Sequence, residues 1–164
     1  MADVSKSHLL QTDTGILNRD ACIVLVKTEW NAAIVDELEQ GCLRVFATDS
    51  QVKVVTLVVP GAVEIPFIIQ RYYKEKTGPL RPDAFIALGC VIRGDTPHFE
   101  YVCETVTDGI LQLNLSLPVP VIFGVLTVNE EQQAIERIGG THGHKGEEAG
   151  ITALKMIALN RSIN

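Results

Sequence analysis

Between Gly89 and His98 the chain carries Cys90, Arg93, Asp95, Thr96 and His98 within ten residues, with Gly94 and Pro97 among them. The order Gly94-Asp95-Thr96-Pro97-His98 reads as the step from a strand into a helix. Pro97 suits the first helical position, which makes Thr96 the N-cap. No capping box completes it, because Phe99 stands where Glu or Gln is wanted. Free N–H groups and the positive end of the helix dipole make such a turn a cradle for phosphate, and Gly94 lets a ligand approach the backbone. His98 lies in the first turn, where the dipole disfavours imidazolium and a neutral ring can exchange protons. A plain turn and a histidine bonded to a loop carbonyl account for the same residues. Their occurrence side by side favours general acid–base work.

Three further segments carry chemistry. Trp30, the only tryptophan, follows the first apolar run and is followed by Asn31. Core packing is the default for Trp, and stacking on a flat heteroaromatic ring is the alternative. Pro60-Gly61-Ala62-Val63-Glu64 places a carboxylate where a helix begins, either to complement the dipole or to accept bonds from a polyhydroxyl chain. Arg137 and Lys145 bracket Gly139-Gly140-Thr141-His142-Gly143, as solvated helix ends or as an anion site. Cys22, Cys42, Cys90 and Cys103 include no close pair, so zinc ribbons and redox pairs do not fit, and four reduced, mostly buried thiols are expected. His142 and His144 have no accompanying ligand cluster and read as a solvent-facing loop, so no metal is assigned. The glycine fingerprints of dinucleotide and triphosphate sites are absent, as is a nucleophile elbow.

The elements that must hold these residues follow from hydrophobic pattern. Ala21–Val26 is a continuous apolar run, the pattern of a strand covered on both faces; Val52–Val59 is a β-branched run that reads as a second buried strand, and Ala84–Ile92 and Val121–Thr127 read as the third and fourth. Residues 31–45, 62–74, 98–117, 130–138 and 146–160 show helical spacing or follow helix signals. Alternating strands and helices predict an α/β fold, a flavodoxin-like three-layer α/β/α domain with a four-stranded parallel sheet. Residues 1–20 read as an N-terminal arm and 21–164 as a single catalytic domain. In such sheets ligands bind outside the carboxyl ends of the strands. The four exits, at residues 27–31, 60–64, 93–98 and 128–130, hold most of the unusual residues.

The bulk numbers bound the function. At 164 residues with net charge −6, the chain has no basic cluster for nucleic acid. No apolar run approaches the roughly 18 residues of a membrane span. Hydrophobic residues make up 46% and mean hydropathy is +0.20, a surplus that points to a homo-oligomer. Acidic residues near the amino terminus and the lack of an apolar h-region argue against a secretory signal, and the cytoplasm is expected.

With these residues in place, the chain resembles the lumazine synthase family of riboflavin biosynthesis over roughly residues 20–162. The resemblance rests on Trp30-Asn31, on residues 59–66 (Val-Pro-Gly-Ala-Val-Glu-Ile-Pro) and on residues 88–102, from Leu88-Gly89-Cys90 through Asp95-Thr96-Pro97-His98. It continues through residues 120–127, then Glu131-Gln132, Ala134 and Arg137, and ends in Lys145-Gly146. It implies a transferase that condenses 5-amino-6-(D-ribitylamino)uracil with 3,4-dihydroxy-2-butanone 4-phosphate. The products are 6,7-dimethyl-8-ribityllumazine, phosphate and water, and no cofactor takes part.

The resemblance also implies roles. His98 matches the proton-transfer histidine, and Trp30 the aromatic that stacks the pyrimidine, where Phe is more usual. Asn31 falls beside it in the substrate site. Ala62, Val63 and Glu64 match the stretch that holds the ribityl chain and ring, and Cys90, Val91 and Ile92 the strand edge that reads the uracil. Asp95 and Thr96 match the phosphate loop, with the Asp95 carboxylate turned away and its N–H in contact. Arg137 supplies the cationic partner, Lys145 counts with the substrate-binding residues, and Phe123 lines the site from a neighbouring subunit. Pentamers, or decamers and sixty-subunit shells built from them, are implied, with the arm along a neighbour's sheet edge. The connections at 47–52 and 74–83 should lie away from the site. A lumazine or flavin carrier without turnover and a purely assembly-forming protein are the rival readings.

Overall fold

The sheet is built around Ala21–Thr28 (β1), whose eight residues are apolar or small except Lys27. Its alternate side chains serve two cores. Ile23 and Leu25 join one cluster, Cys22, Val24 and Val26 the other, and all five are buried. A central strand needs apolar residues on both faces, which is why β1 shows no polar alternation. In this computed structural model, which describes residues 7–11 and 16–163, β1 is flanked by Val52–Val59 (β2) and Ala84–Ile92 (β3), and Val121–Val128 (β4) pairs with β3. All pairings are parallel and the order is β2-β1-β3-β4. Helices Ala32–Phe46 (α1) and Lys145–Ile163 (α5) cover one face through Leu38, Cys42, Ala153 and Ile157. Helices Ile65–Glu75 (α2) and His98–Ser116 (α3) cover the other through Ile65, Ile69, Val106 and Ile110. The expected three-layer α/β domain is the observed one.

Several local expectations are corrected. β2 was expected to be covered on both faces, yet it is an edge strand. Only Val59 is buried, and Lys53, Thr56 and Val58 are exposed. A β-branched run reports a strand but not its place in the sheet. The helix expected over 130–138 is only Glu131–Ile135 (α4). The glycine-rich break beyond it is a hairpin, Ile138–Gly140 (β5) antiparallel to Gly143–His144 (β6), with Gly139 at φ 116° and Gly143 at φ 75°. Before α2, Ala62–Glu64 forms a 3-10 turn, so the helical pattern read from Ala62 begins one step tighter. The Thr96 cap is not made either: Pro97 occupies the cap position and no side chain caps α3.

Of the expected arm, residues 1–6 and 12–15 lie outside the described residues. Residues 7–11 sit against α5, where Lys155 Nζ donates to the Leu9 carbonyl at 2.6 Å, and Leu17 is buried in the core. Among the described residues no helix is long and apolar enough to cross a membrane. The connections after α1 and α2 meet at the amino ends of the strands. There Gln51, Pro79 and Asp83 line a cavity that shares no residue with the one at the strand exits.

Candidate active site

Strand stagger creates the site. β1 pairs with β3 only as far as Lys27 and Leu88, whereas β3 continues to Ile92. Residues 90–92 therefore pair with β4 on one side and leave their other edge beyond the end of β1. An open strand edge offers backbone donors and acceptors in a fixed row, suited to reading the edge of a flat heterocycle. This gap lies between β1 and β3, the point where the strand order reverses and ligands bind in doubly wound sheets. The cavity there holds about 550 Å³ and takes in Trp30, Asn31, Ala62, Val63, Glu64, Cys90, Val91, Ile92 and His98, together with Thr28, Gly61 and Val102.

The chain leaves β1 along a path fixed by backbone bonds. Glu29 N–H donates to the Val59 carbonyl at 2.9 Å, and Thr28 Oγ1 donates to the Trp30 carbonyl at 3.2 Å. Among the described residues Asn31 is the only non-glycine in the left-handed region, at φ 56° and ψ 43°. Asn tolerates this conformation better than most residues. Its Nδ2 reaches across the gap and donates to the Cys90 carbonyl at 2.8 Å. That donor is therefore already engaged, and Asn31 shapes the pocket by tying the exit of β1 to the edge of β3. Trp30, beside it, is 73% exposed. Within the chain a core role for the indole is excluded, and Trp30 lines the cavity.

The exit of β2 forms the opposite wall. A Cβ at Gly61 would lie 3.1 Å from Glu64 Oε2 and 3.5 Å from Trp30 Cδ1, so glycine leaves the space between the carboxylate and the indole. Ala62 is buried, while Val63 and Glu64 face solvent. Cys90 is buried, and burial, then the nearby Glu131 carboxylate, pushes its thiol up to about 11. A thiol held protonated in this way is not a nucleophile at neutral pH.

The loop after β3 is anchored by a residue to which no role was assigned. Arg93 pairs with Glu100 on α3, donates from Nε to Asn129 Oδ1 at 2.9 Å, and stacks its guanidinium 4.2 Å over the Phe99 ring. Its partners lie seven and thirty-six positions away, so no local motif announces the clamp. The ion pair holds the Glu100 carboxyl below its ordinary range. The clamp fixes the start of α3 while Gly94, Asp95, Thr96 and His98 remain exposed. A Cβ at Gly94 would meet nothing within 4 Å, so the approach to the backbone is open. Glu100 N–H bonds the Pro97 carbonyl at 3.1 Å, and no side chain caps the helix end, as an anion cradle requires.

The remaining candidates stand elsewhere in the same chain. Phe123 and Lys145 line a third cavity, of about 680 Å³, between β4 and α5, and Arg137 lines neither this one nor the strand-exit cavity. Phe123 is 42% exposed. Lys145 corrects the expectation of a solvated helix end: it is buried, and its Nζ donates to both Glu148 carboxylate oxygens at 2.6 and 2.9 Å. Arg137 Nη1 donates to the Gln133 carbonyl at 2.6 Å. His142 is exposed as expected, but His144 is buried. Three cysteines are buried and Cys103 is intermediate, all as free thiols.

A parallel sheet with an open cavity at its switch point places the protein among the doubly wound α/β folds, whose ligands bind outside the carboxyl ends of the strands. Comparison with known proteins narrows the class. A family model for 6,7-dimethyl-8-ribityllumazine synthase matches residues 20–161. The chain is 46% identical over 145 residues to the 6,7-dimethyl-8-ribityllumazine synthase of Porphyromonas gingivalis, covering 87% of this chain and 88% of that one. It is 43% identical over 139 residues to that of Bdellovibrio bacteriovorus, covering 85% and 75%, and 44% identical over 137 residues to that of Parabacteroides distasonis, covering 82% and 83%. The chain belongs to the 6,7-dimethyl-8-ribityllumazine synthase family.

Proposed function

We propose that the protein condenses 5-amino-6-(D-ribitylamino)uracil with 3,4-dihydroxy-2-butanone 4-phosphate at the strand-exit cavity. It releases 6,7-dimethyl-8-ribityllumazine, phosphate and water as a step of riboflavin biosynthesis. The observation that carries the reading is the open edge of Cys90, Val91 and Ile92, set between an exposed indole and an uncapped helix end bearing His98. The pyrimidine lies on Trp30 with its edge against residues 90–92, and the ribityl hydroxyls reach Glu64. The phosphate rests on the backbone N–H groups at Asp95 and Thr96. The exposed Asp95 carboxylate is free to point into solvent, so its charge need not oppose the phosphate.

The reaction moves protons rather than electrons. The amine attacks the ketone, water and phosphate leave, and the ring closes. His98 is placed to accept and return the protons of these steps, since an exposed imidazole at the cavity rim reaches both reactants. Holding the two together supplies much of the remaining acceleration.

The active assembly is a homo-oligomer, a pentamer or a multiple of one, acting in the cytoplasm. Phe123, Arg137 and Lys145 then close a neighbour's strand-exit cavity. Their placement away from His98 within one chain supports this sharing. Turnover decides between enzyme and carrier. Protein with both substrates should form fluorescent lumazine faster than the substrates alone. Lumazine binding without such turnover would establish the carrier instead. Mass measurement in solution fixes the assembly, and a monomer at working concentration would refute a shared site.

A further inference from the structure

His144 is a buried imidazole to which neither the fold nor the proposed reaction assigns a task. Its side chain is 7% exposed and lies against α1. Gly41 makes the seat: a Cβ there would fall 2.2 Å from His144 Cε1 and 2.4 Å from Nδ1. Nδ1 accepts the backbone N–H of Glu147 at 3.3 Å, and Nε2 lies 3.2 Å from Glu37 Oε1. Nδ1 needs its lone pair to accept, so the ring proton sits on Nε2 and is donated to Glu37. Arg44 holds the same Glu37 oxygen at 3.0 Å and donates from Nε to Glu147 at 3.0 Å, which closes the ring of contacts around the imidazole.

What this seat holds is the β5–β6 hairpin. His144 pairs with Ile138 across it, and the neighbours of that pair are Lys145 and Arg137. Lys145 N–H donates to the Arg137 carbonyl at 2.8 Å, so the two cationic residues share one backbone bond directly beside the fixed imidazole. The other end of the hairpin is exposed at Thr141 and His142. A side chain that pins the base pins both cations.

We propose that His144 is a positioning residue for the phosphate half of the site: locked over Gly41 between the Glu147 N–H and the Glu37 carboxylate, it sets where Arg137 and Lys145 stand. The proposal rests on the reading that these two cations serve the phosphorylated substrate. His144 itself touches no reactant. Its effect falls on affinity for the phosphate-bearing partner and not on the pyrimidine, which is held at the other strand exits.

The test uses the full chain in its assembled form, with inorganic phosphate binding by calorimetry and steady-state kinetics for each substrate. His144→Ala should weaken phosphate about tenfold and raise KM for the phosphorylated ketone by a similar factor, with KM for the pyrimidine within about twofold. His144→Asn keeps an acceptor and a donor on a short side chain and should recover most of the lost affinity. Glu37→Ala, which removes only the outer acceptor from a partly exposed position, should show the same split more weakly. Unchanged phosphate affinity in His144→Ala overturns the proposal. So does an equal rise in both KM values, or an Asn variant no better than Ala. If the wild-type protein binds phosphate but forms no lumazine, the proposed reaction falls while the phosphate titration still decides the role of His144. If it binds no phosphate, both fall.

Discussion

Trp30→Ala separates a binding indole from a structural one. The indole is 73% exposed, so truncation removes little buried area, and surface changes of this kind stay within about 0.5 kcal/mol. For a domain of this size that corresponds to a melting shift of roughly 2 °C or less. The ligand side is much larger. Stacking of a base on an aromatic side chain contributes about 1–3 kcal/mol, or roughly 5- to 150-fold in affinity. Trp30→Ala should therefore raise KM for the pyrimidine substrate by at least about fivefold at nearly constant melting temperature. Trp30→Phe should recover most of the loss, because a smaller ring still stacks. The wild-type protein supplies its own probe: Trp30 is the only tryptophan, so its fluorescence should change on titration with the pyrimidine alone. A large melting shift with unchanged pyrimidine KM would refute the reasoning, as would fluorescence blind to the ligand.

Other expectations follow from single features. His98→Ala should lower kcat about 100-fold or more with smaller changes in either KM, while turnover stays above the uncatalysed rate; steady-state kinetics check it, and a pure KM effect would remove the acid–base role. Gly146→Ala puts a Cβ 2.1 Å from the Leu38 carbonyl oxygen, a clash with rigid backbone that should cost about 1–3 kcal/mol in a denaturant titration. Gly94→Ala, with nothing within 4 Å, should leave stability unchanged in the same titration. Burial pushes the Cys42 thiol up to about 12 and the Cys90 thiol up to about 11, both above their ordinary 9.0. The folded state keeps these protons where the unfolded chain loses them, so their contribution is full below pH 9.0 and disappears as pH rises through about 11 to 12. Stability measured by denaturant from pH 8 upward should fall across that window, and a flat profile would count against the burial.

The parts of the molecule that obey one local rule were legible from the residues. β1 and β3 announce themselves as buried strands because long stretches of them are continuously apolar, and Pro97 marks the start of α3 to within a residue. The chemistry-bearing strand exits do collect at one edge, since a parallel sheet leaves its carboxyl ends on one side. What stayed hidden depends on partners far along the chain. β2 reads as a buried strand because β-branched residues fit a pleated surface wherever it lies. The Arg93 clamp joins residues from three elements, and the buried His144 seat depends on a glycine more than one hundred positions earlier. The hairpin was hidden for another reason: glycine at positive φ permits a tight pair of strands and also a loose loop, and its presence does not say which. The stagger between β1 and β3, which makes the open edge, is a matter of register and lies beyond hydrophobic pattern.

The central claim is that one cavity couples ring formation to loss of phosphate, and stoichiometry tests it most directly. Phosphate released and lumazine formed should be followed together in one reaction, the first by phosphorus NMR and the second by absorbance. The account predicts one phosphate per lumazine at every time point, and no phosphate from the phosphorylated ketone when the pyrimidine is omitted. Phosphate released without lumazine, or lumazine formed no faster with the protein than without it, would contradict the account.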